Sequence, residues 1–414
     1  MQYGLIGKKL SHSFSKEIHE SLANYTYELC EIAPNELENF FKVRDFKAIN
    51  VTMPYKKDVI PFLDEISDEA RELQAVNTIV NRDGKLYGYN TDFYGMKDMI
   101  LRSGIDTFNK KALVLGTGAT SRTASLVLKE LGVKEIYFVS RDKKDGAITY
   151  AEAHSIHNDA QIIVNTTPVG MYPNAYTSPL DLEPFENLEA VFDAVYNPLR
   201  TQLVIEAKGQ KAYGESGLYM LVSQAVHAIE LFIDTKIDVE KAYETYEKIT
   251  KEKENIVLIG MPSCGKTTVG KILSNMLGRD FYDLDYEIEK RIGCTISDFF
   301  ETHSEIDFRN VETEITKEIS TKNGIIIATG GGCATKNVNV NALRSNGRIY
   351  FIDRALDHLI PTHSRPLARD RFALENLYRM RQSIYSFVCD MHIDGNLTPN
   401  EEAEIIAKEF YQKR

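Results

Sequence analysis

The sequence predicts an α/β protein built from repeated units of buried strand, tight turn and helix. Three observations predict it. The first hundred residues alternate short apolar runs with helix-like segments. Residues 112–141 restart that alternation around a glycine turn. Residues 256–277 start it a third time, around a longer glycine-rich loop. Strands alternating with helices imply mainly parallel sheets covered by helices.

The elements follow in order. YGLIG (3–7) reads as a strand and KEIHESLAN (16–24) as a helix. YTYELCEI (25–32) is a strand, ELENFFKV (36–43) a helix, and AINVTMPYK (48–56) an extended stretch. Residues 58–73 read as helix-like. AVNTIVNRDGKLYGYNTD (75–92) carries a hairpin turn at Asn81-Arg82-Asp83-Gly84, and a helix begins near Phe93.

Ala112–Leu115 is the strand of a second start, and Gly116-Thr117-Gly118-Ala119-Thr120-Ser121 its turn. The helix SRTASLVLKELG and the strand EIYFVSR complete a βαβ unit. Gly116 allows the turn, and Gly118 lets a pyrophosphate approach the backbone. Ser121 replaces the third glycine of the dinucleotide fingerprint. The second strand ends at Ser140-Arg141 with no acid for a ribose, and an Arg there accommodates a 2′-phosphate. NADP is therefore expected, with Gly116, Gly118, Ala119, Ser140, Arg141 and Gly217 as its contacts. Strands at QIIVN and AVFDAV, the helix GLYMLVSQAVHAIELFI and a charged helical stretch (236–255) follow.

Ile256–Ile259 reads as a parallel strand. It runs into Gly260-Met261-Pro262-Ser263-Cys264-Gly265-Lys266-Thr267, which fits G-x-x-x-x-G-K-[ST], and then into the helix VGKILSNML. Strand, loop and helix in that order make a phosphate-binding loop. Gly260, Ser263, Cys264, Gly265, Lys266, Thr267 and Thr268 are the expected ATP contacts. Lys266 is expected to reach the β/γ-phosphates, and the Thr267 hydroxyl to face Mg²⁺. A thiol at a helix N-terminus is open to activation. Oxidation or alkylation of Cys264 thus stands as a candidate block to ATP binding, beside its plainer role as a small filler.

Composition sets the frame. With 414 residues, two or three domains are expected. The 43% apolar and 26% charged fractions are those of ordinary globular protein. A net charge of −11 argues against nucleic acid or an anionic membrane as partner. MQYGLIGKKLSHS is neither a signal nor a transit peptide, and no run of 18 apolar residues exists. Five cysteines without a C-x-x-C pair suit a reducing cytoplasm better than a disulfide framework.

The first half resembles shikimate dehydrogenase over nearly its whole length. The resemblance rests on Ser11-His12-Ser13-Phe14-Ser15, Asn50-Val51-Thr52-Met53-Pro54-Tyr55-Lys56, Ala75-Val76-Asn77-Thr78 and Gly88-Tyr89-Asn90-Thr91-Asp92. It continues through Asn165-Thr166-Thr167-Pro168-Val169-Gly170-Met171, Asp193-Ala194-Val195-Tyr196-Asn197-Pro198 and Met220-Leu221-Val222-Ser223-Gln224. It implies a two-domain dehydrogenase, an α/β substrate domain (1–103, completed by 220–245) with a Rossmann NADP domain (104–219). It implies Lys56 and Asp92 as the catalytic pair. Ser13 and Ser15 would meet the substrate carboxylate, and Thr52, Asn77 and Gln224 its hydroxyls. Lys16 departs from the family's usual Pro. Thr117, Ala119 and Ser140 depart in the cofactor region.

After a linker at 246–254, residues 255–414 resemble shikimate kinase, a P-loop kinase domain with a parallel sheet. Asp283 and Asp285 in FYDLD, FRNVE with Arg309, the strand and triple glycine IIIATGGGC, Arg365-Pro366-Leu367 and Arg381 carry the likeness. It implies Thr267 and Asp283 at Mg²⁺, and Asp285 at the attacking hydroxyl. Arg309 and Arg381 would hold the carboxylate, Gly331 and Gly332 would line the substrate, and Arg365 would neutralise the transferring phosphate. Against that family's pattern the segment Leu356–Ser364 reads as short, a departure from the resemblance. Together the halves imply a bifunctional enzyme acting on 3-dehydroshikimate and then shikimate, with NADP, ATP and Mg²⁺. The rival readings are an NAD-dependent quinate/shikimate dehydrogenase fused to a kinase, and a chain with one non-catalytic half.

Overall fold

The computed structural model describes residues 1–10, 14–143, 146–361 and 370–412. It divides into two compact units. One is Met1–Asn197 with Glu206–Lys248, and the other is Pro198–Ile205 with Ile249–Arg414.

The first unit holds two six-stranded sheets. Strands β1 (Tyr3–Gly7), β2 (Tyr27–Glu31), β3 (Ala48–Val51), β4 (Glu65–Ile66), β5 (Thr78–Arg82) and β6 (Lys85–Tyr89) pair in the order β2-β1-β3-β5-β6-β4. Strands β1, β2 and β3 are parallel, while β5 and β6 form an antiparallel hairpin beside them. Asp83 and Gly84 both have positive φ, which the NRDG turn predicts. Residues 58–73 are not one helix. Pro61 falls in a short 3₁₀ turn, β4 follows, and Ser67 caps a separate helix, Asp68–Leu73. Proline removes the donor that a continuous helix needs.

The second sheet comprises β7 (Lys111–Leu115), β8 (Glu135–Ser140), β9 (Ile148–Thr149), β10 (Ile162–Asn165), β11 (Ala190–Asp193) and β12 (Tyr213–Ser216). Its order is β12-β11-β10-β7-β8-β9, parallel throughout. This is the doubly wound order in which dinucleotides bind beside the first strand. The helices Thr91–Arg102 and Leu218–Ile233 pack tightly on each other. A Cβ on Gly95 would lie 2.6 Å from the Met220 carbonyl and 2.8 Å from Gln224 Cβ, so glycine is what lets them approach.

The second unit has one parallel sheet of β13 (Asn255–Ile259), β14 (Phe281–Asp283), β15 (Ile326–Ala328), β16 (Gly347–Asp353) and β17 (Met391–Asp394). Their order is β14-β15-β13-β16-β17. β13 is central and buried at every position, which explains its unbroken apolar run. Its C-terminal end and those of β14 and β15 open onto one side, where ligands of open α/β sheets bind. The charged stretch before β13 is helical over Val239–Lys253. No described helix is long and apolar enough to cross a membrane.

Candidate functional site

In the first unit, Lys56 lies in the turn after β3, and Asp92 in the first turn of the helix Thr91–Arg102. Lys56 Nζ donates to Asp92 Oδ2 at 2.5 Å, with the two side chains 23% and 21% exposed. The pair is thus reachable by a substrate yet partly shielded from water. Asn77 Nδ2 donates to the other Asp92 oxygen at 2.9 Å. Gln224 enters from the helix Leu218–Ile233, its Oε1 3.4 Å from the Thr91 hydroxyl. The fold brings Lys56, Asn77, Asp92 and Gln224 together from four parts of the chain. Thr52 packs its methyl group towards Gly7 at the end of β1. Ser15 opens the helix Ser15–Leu22 and is buried. Ser13 lies outside the described residues. His19, in the same helix, is wholly buried against Tyr27, and burial pushes its imidazole down to about 3.

Gly116 has a φ of +109°, which an L side chain rarely adopts, and directly follows β7. Gly118 caps the helix Ala119–Glu130 and faces open space. Ser140 ends β8, and Arg141 is exposed beyond it. Gly217 is the N-cap of the helix Leu218–Ile233 and lies against the Ala194 carbonyl at the end of β11.

In the second unit the phosphate loop joins β13 to the helix Lys266–Leu277, capped by Gly265. Lys266 is buried, and its Nζ donates to the carbonyls of Gly260 (3.0 Å) and Met261 (2.8 Å). Thr267 Oγ1 donates to Asp283 Oδ2 at 2.6 Å. The other Asp283 oxygen accepts from the Asp285 N–H at 3.1 Å and caps the helix Leu284–Ile292. Capping and a place beside Thr267 are therefore both functions of one carboxylate. Cys264 is wholly buried, its Sγ 3.6 Å from Lys266 Nζ. Filler is the role its position supports, because no reagent can reach it without opening the loop.

A cavity of about 440 Å³ joins the loop to the expected substrate residues, with Lys266, Thr267, Asp283, Asp285, Arg309 and Arg381 on its walls. Ser263, Gly265, Thr268, Gly331 and Gly332 also line it. Arg365 lies outside the described residues. Arg309 Nη1 donates to both oxygens of Glu312 at 2.9 and 2.8 Å, and Nη2 to Glu305 at 3.2 Å. Burial pushes the Glu312 carboxyl above the usual carboxylate range, against the pull of Arg309.

The glycine triplet has a reason the sequence alone leaves hidden. A Cβ on Gly330 would lie 2.5 Å from Asp285 Oδ1, and one on Gly332 would run into the Arg309 guanidinium. The glycines make room for the side chains of the site. Tyr385 then pins the triplet by donating its hydroxyl to the Gly331 carbonyl. Tyr385 lies four residues after Arg381 on the helix Arg371–Val388, so it also sets which face of that helix meets the cavity. Sequence reading missed Glu312 and Tyr385 as site residues. The i, i+3 and i, i+4 spacings from the two arginines were the available signal.

Residues 5–79 match the family model of the shikimate dehydrogenase substrate binding domain. The chain is 38% identical over 253 residues to shikimate dehydrogenase (NADP(+)) of Clostridium beijerinckii, covering 57% of this chain and 93% of that protein. The chain belongs to the shikimate dehydrogenase family. Shikimate dehydrogenase 1 from Peptoclostridium difficile superposes with a TM-score of 0.55 at 36% identity, over 60% of this chain and 98% of that one. The Thermus thermophilus shikimate 5-dehydrogenase, solved with NADP(H) and shikimate, gives a TM-score of 0.55 at 29% identity. It covers 60% of this chain and 99% of its own. The remainder is not left over, for residues 262–413 match the shikimate kinase family model. The chain thus fuses shikimate dehydrogenase to a shikimate kinase domain, a bifunctional enzyme of the shikimate pathway.

The residues present fit the expected dinucleotide and Mg²⁺. The shikimate dehydrogenase turn offers a glycine with positive φ and open space over a helix N-terminus, which suits a pyrophosphate. The kinase domain offers Thr267 and Asp283 oxygens side by side, a hard donor set that suits Mg²⁺.

Proposed function

We propose that the dehydrogenase half reduces 3-dehydroshikimate to shikimate with NADPH, and that the kinase half phosphorylates the 3-hydroxyl of shikimate with ATP. The observation that carries this reading is the kinase cavity, where phosphate loop, Asp285 and two arginines surround one space. That combination suits a hydroxylated carboxylate beside a nucleotide, and the family of the first half supplies that carboxylate.

Bound NADPH supplies a hydride to the carbonyl carbon. Lys56 gives the proton to the carbonyl oxygen as it becomes a hydroxyl, and Asp92 holds the ammonium in line. Asn77, Thr52 and Gln224 orient the ring hydroxyls, and Ser13 and Ser15 receive the carboxylate. Gly116, Gly118, Ala119, Ser140, Arg141 and Gly217 border the cofactor. In the kinase half, bound ATP and Mg²⁺ supply the phosphoryl group and charge neutralisation. Lys266, which rests on the loop carbonyls, would hold phosphate oxygens, and Arg365 would add positive charge for the transferring group. Asp285 takes the proton of the attacking hydroxyl, while Arg309 and Arg381 grip the carboxylate.

The test is a one-pot assay with 3-dehydroshikimate, NADPH, ATP and Mg²⁺, reading NADPH loss and ADP formation separately. ADP should appear only after NADPH is consumed. Lys56→Ala should abolish the first signal, and Lys266→Ala the second alone when shikimate is supplied. ADP formation that ignores shikimate, or a preference for NADH and quinate, would overturn the reading.

A further inference from the structure

A line of buried hydrogen bonds runs through the substrate sheet and ends at Asp92. The Tyr27 hydroxyl donates to Asn50 Oδ1 at 2.7 Å, and Asn50 Nδ2 donates to Thr78 Oγ1 at 3.0 Å. The Thr78 hydroxyl donates to Asn77 Oδ1 at 3.0 Å, and Asn77 Nδ2 donates to Asp92 Oδ1 at 2.9 Å. Tyr27 and Thr78 are wholly buried, with Asn50 and Asn77 at 5% and 3% exposure.

Backbone groups dictate the direction of this line. The Thr91 N–H can only donate, so the Asn77 atom 2.7 Å from it is the carbonyl oxygen. The Asn77 main-chain carbonyl can only accept, so the Asn50 atom 3.3 Å from it is the amide nitrogen. Thr78 receives a proton from Asn50 and has one proton to give. It goes to Asn77 Oδ1 directly, or to the Thr91 hydroxyl at 3.1 Å, which itself lies 3.3 Å from Asn77 Oδ1 and 3.4 Å from Gln224 Oε1. With the Thr78 proton on Asn77, each donor of the line from Tyr27 points towards Asp92, whose second oxygen accepts from Lys56. Aligned donors polarise one another.

We infer that Thr78 and Asn50 are positioning residues for the dehydrogenase reaction, holding the Asn77 amide with its N–H on Asp92 and so holding Asp92 in line with Lys56. Their side-chain hydrogen bonds go to Tyr27, Asn77, Thr91 and each other, and not to Asp92 or Lys56, among the described residues. They act through Asn77, whose side-chain oxygen is held jointly by the Thr91 N–H and the Thr78 hydroxyl, so that losing the hydroxyl leaves one donor of two. The inference rests on Lys56 and Asp92 being the proton-handling pair.

The test compares Thr78→Val, which keeps the shape and removes the hydroxyl, with Thr78→Ser, which keeps the hydroxyl. Thr78→Val should lower kcat for 3-dehydroshikimate reduction at least about tenfold, below the 10²–10⁴-fold worth of the whole proton transfer. It should also shift the pH profile of kcat while NADPH binding persists. Thr78→Ser should restore kcat to within about threefold. A Thr78→Val enzyme with a lower melting temperature but unchanged kcat and pH profile would overturn the inference. Should that variant lose NADPH binding, Tyr27→Phe takes its place, since it removes only the outermost hydroxyl. A kcat fall of about threefold there supports the inference, and none overturns it. Lys56→Ala is run beside them. Full reductase activity in Lys56→Ala would instead remove the catalytic pair on which the inference stands.

Discussion

Gly332 sits so close beneath Arg309 that a methyl group in place of its hydrogen would meet the guanidinium. Arg309 cannot yield freely, because Glu312 and Glu305 hold its two terminal nitrogens. Gly332→Ala should therefore displace the guanidinium. Displacements of about 1 Å near a reacting centre can cost about 10²-fold in rate. Steady-state kinetics should show kcat/KM for shikimate phosphorylation falling by about that factor. Shikimate dehydrogenase activity in the same chain should hold, and a fall in both activities would mean general misfolding.

Glu402 links stability to pH. It lies in the helix Pro399–Tyr411, 1% exposed, and its Oε2 has no hydrogen-bond partner among the described residues. Burial pushes its carboxyl up to about 7, with Arg354 pulling the other way. The folded unit therefore holds a proton that the unfolded chain has already lost above about pH 4.3. Between those two values the folded state binds more protons, so stability falls as pH rises. The group accounts for about 3 kcal/mol of loss between pH 4 and 8, at about 1.4 kcal/mol per unit. Glu402→Gln should flatten that part of the pH dependence. Urea unfolding at pH 5 and pH 8, followed through kinase activity, measures it, and an unchanged slope would count against this role for Glu402.

Cys294 is exposed and Cys264 is wholly buried. A thiol reagent added to the native enzyme should therefore modify Cys294 and spare Cys264, with kinase activity retained. Mass spectrometry of the two peptides, beside the kinase assay, checks this. Rapid modification of Cys264 in active enzyme would show that the phosphate loop opens far more readily than its packing implies.

The order of most strands and helices up to the helix Lys266–Leu277, both nucleotide loops and the residues to suspect are legible in the sequence. These signals are local. Gly116 needs its positive φ within one turn, and β13 announces its burial through four consecutive apolar residues. Tertiary structure alone decided what those residues do to one another. Lys56 and Asp92 are 36 residues apart and meet only because β3, β5 and β6 bring the turn after β3 to the helix that follows β6. Gly331 and Gly332 read as lining a substrate, and the fold adds that Gly330 and Gly332 leave room for Asp285 and Arg309. Residues 58–73 read as one helix, and Pro61 and the pairing of β4 with β6 divide them. The donor line from Tyr27 to Asp92 crosses three strands, and no sequence period encodes which strands become neighbours. That choice is made by long-range pairing and burial, which local propensity does not contain.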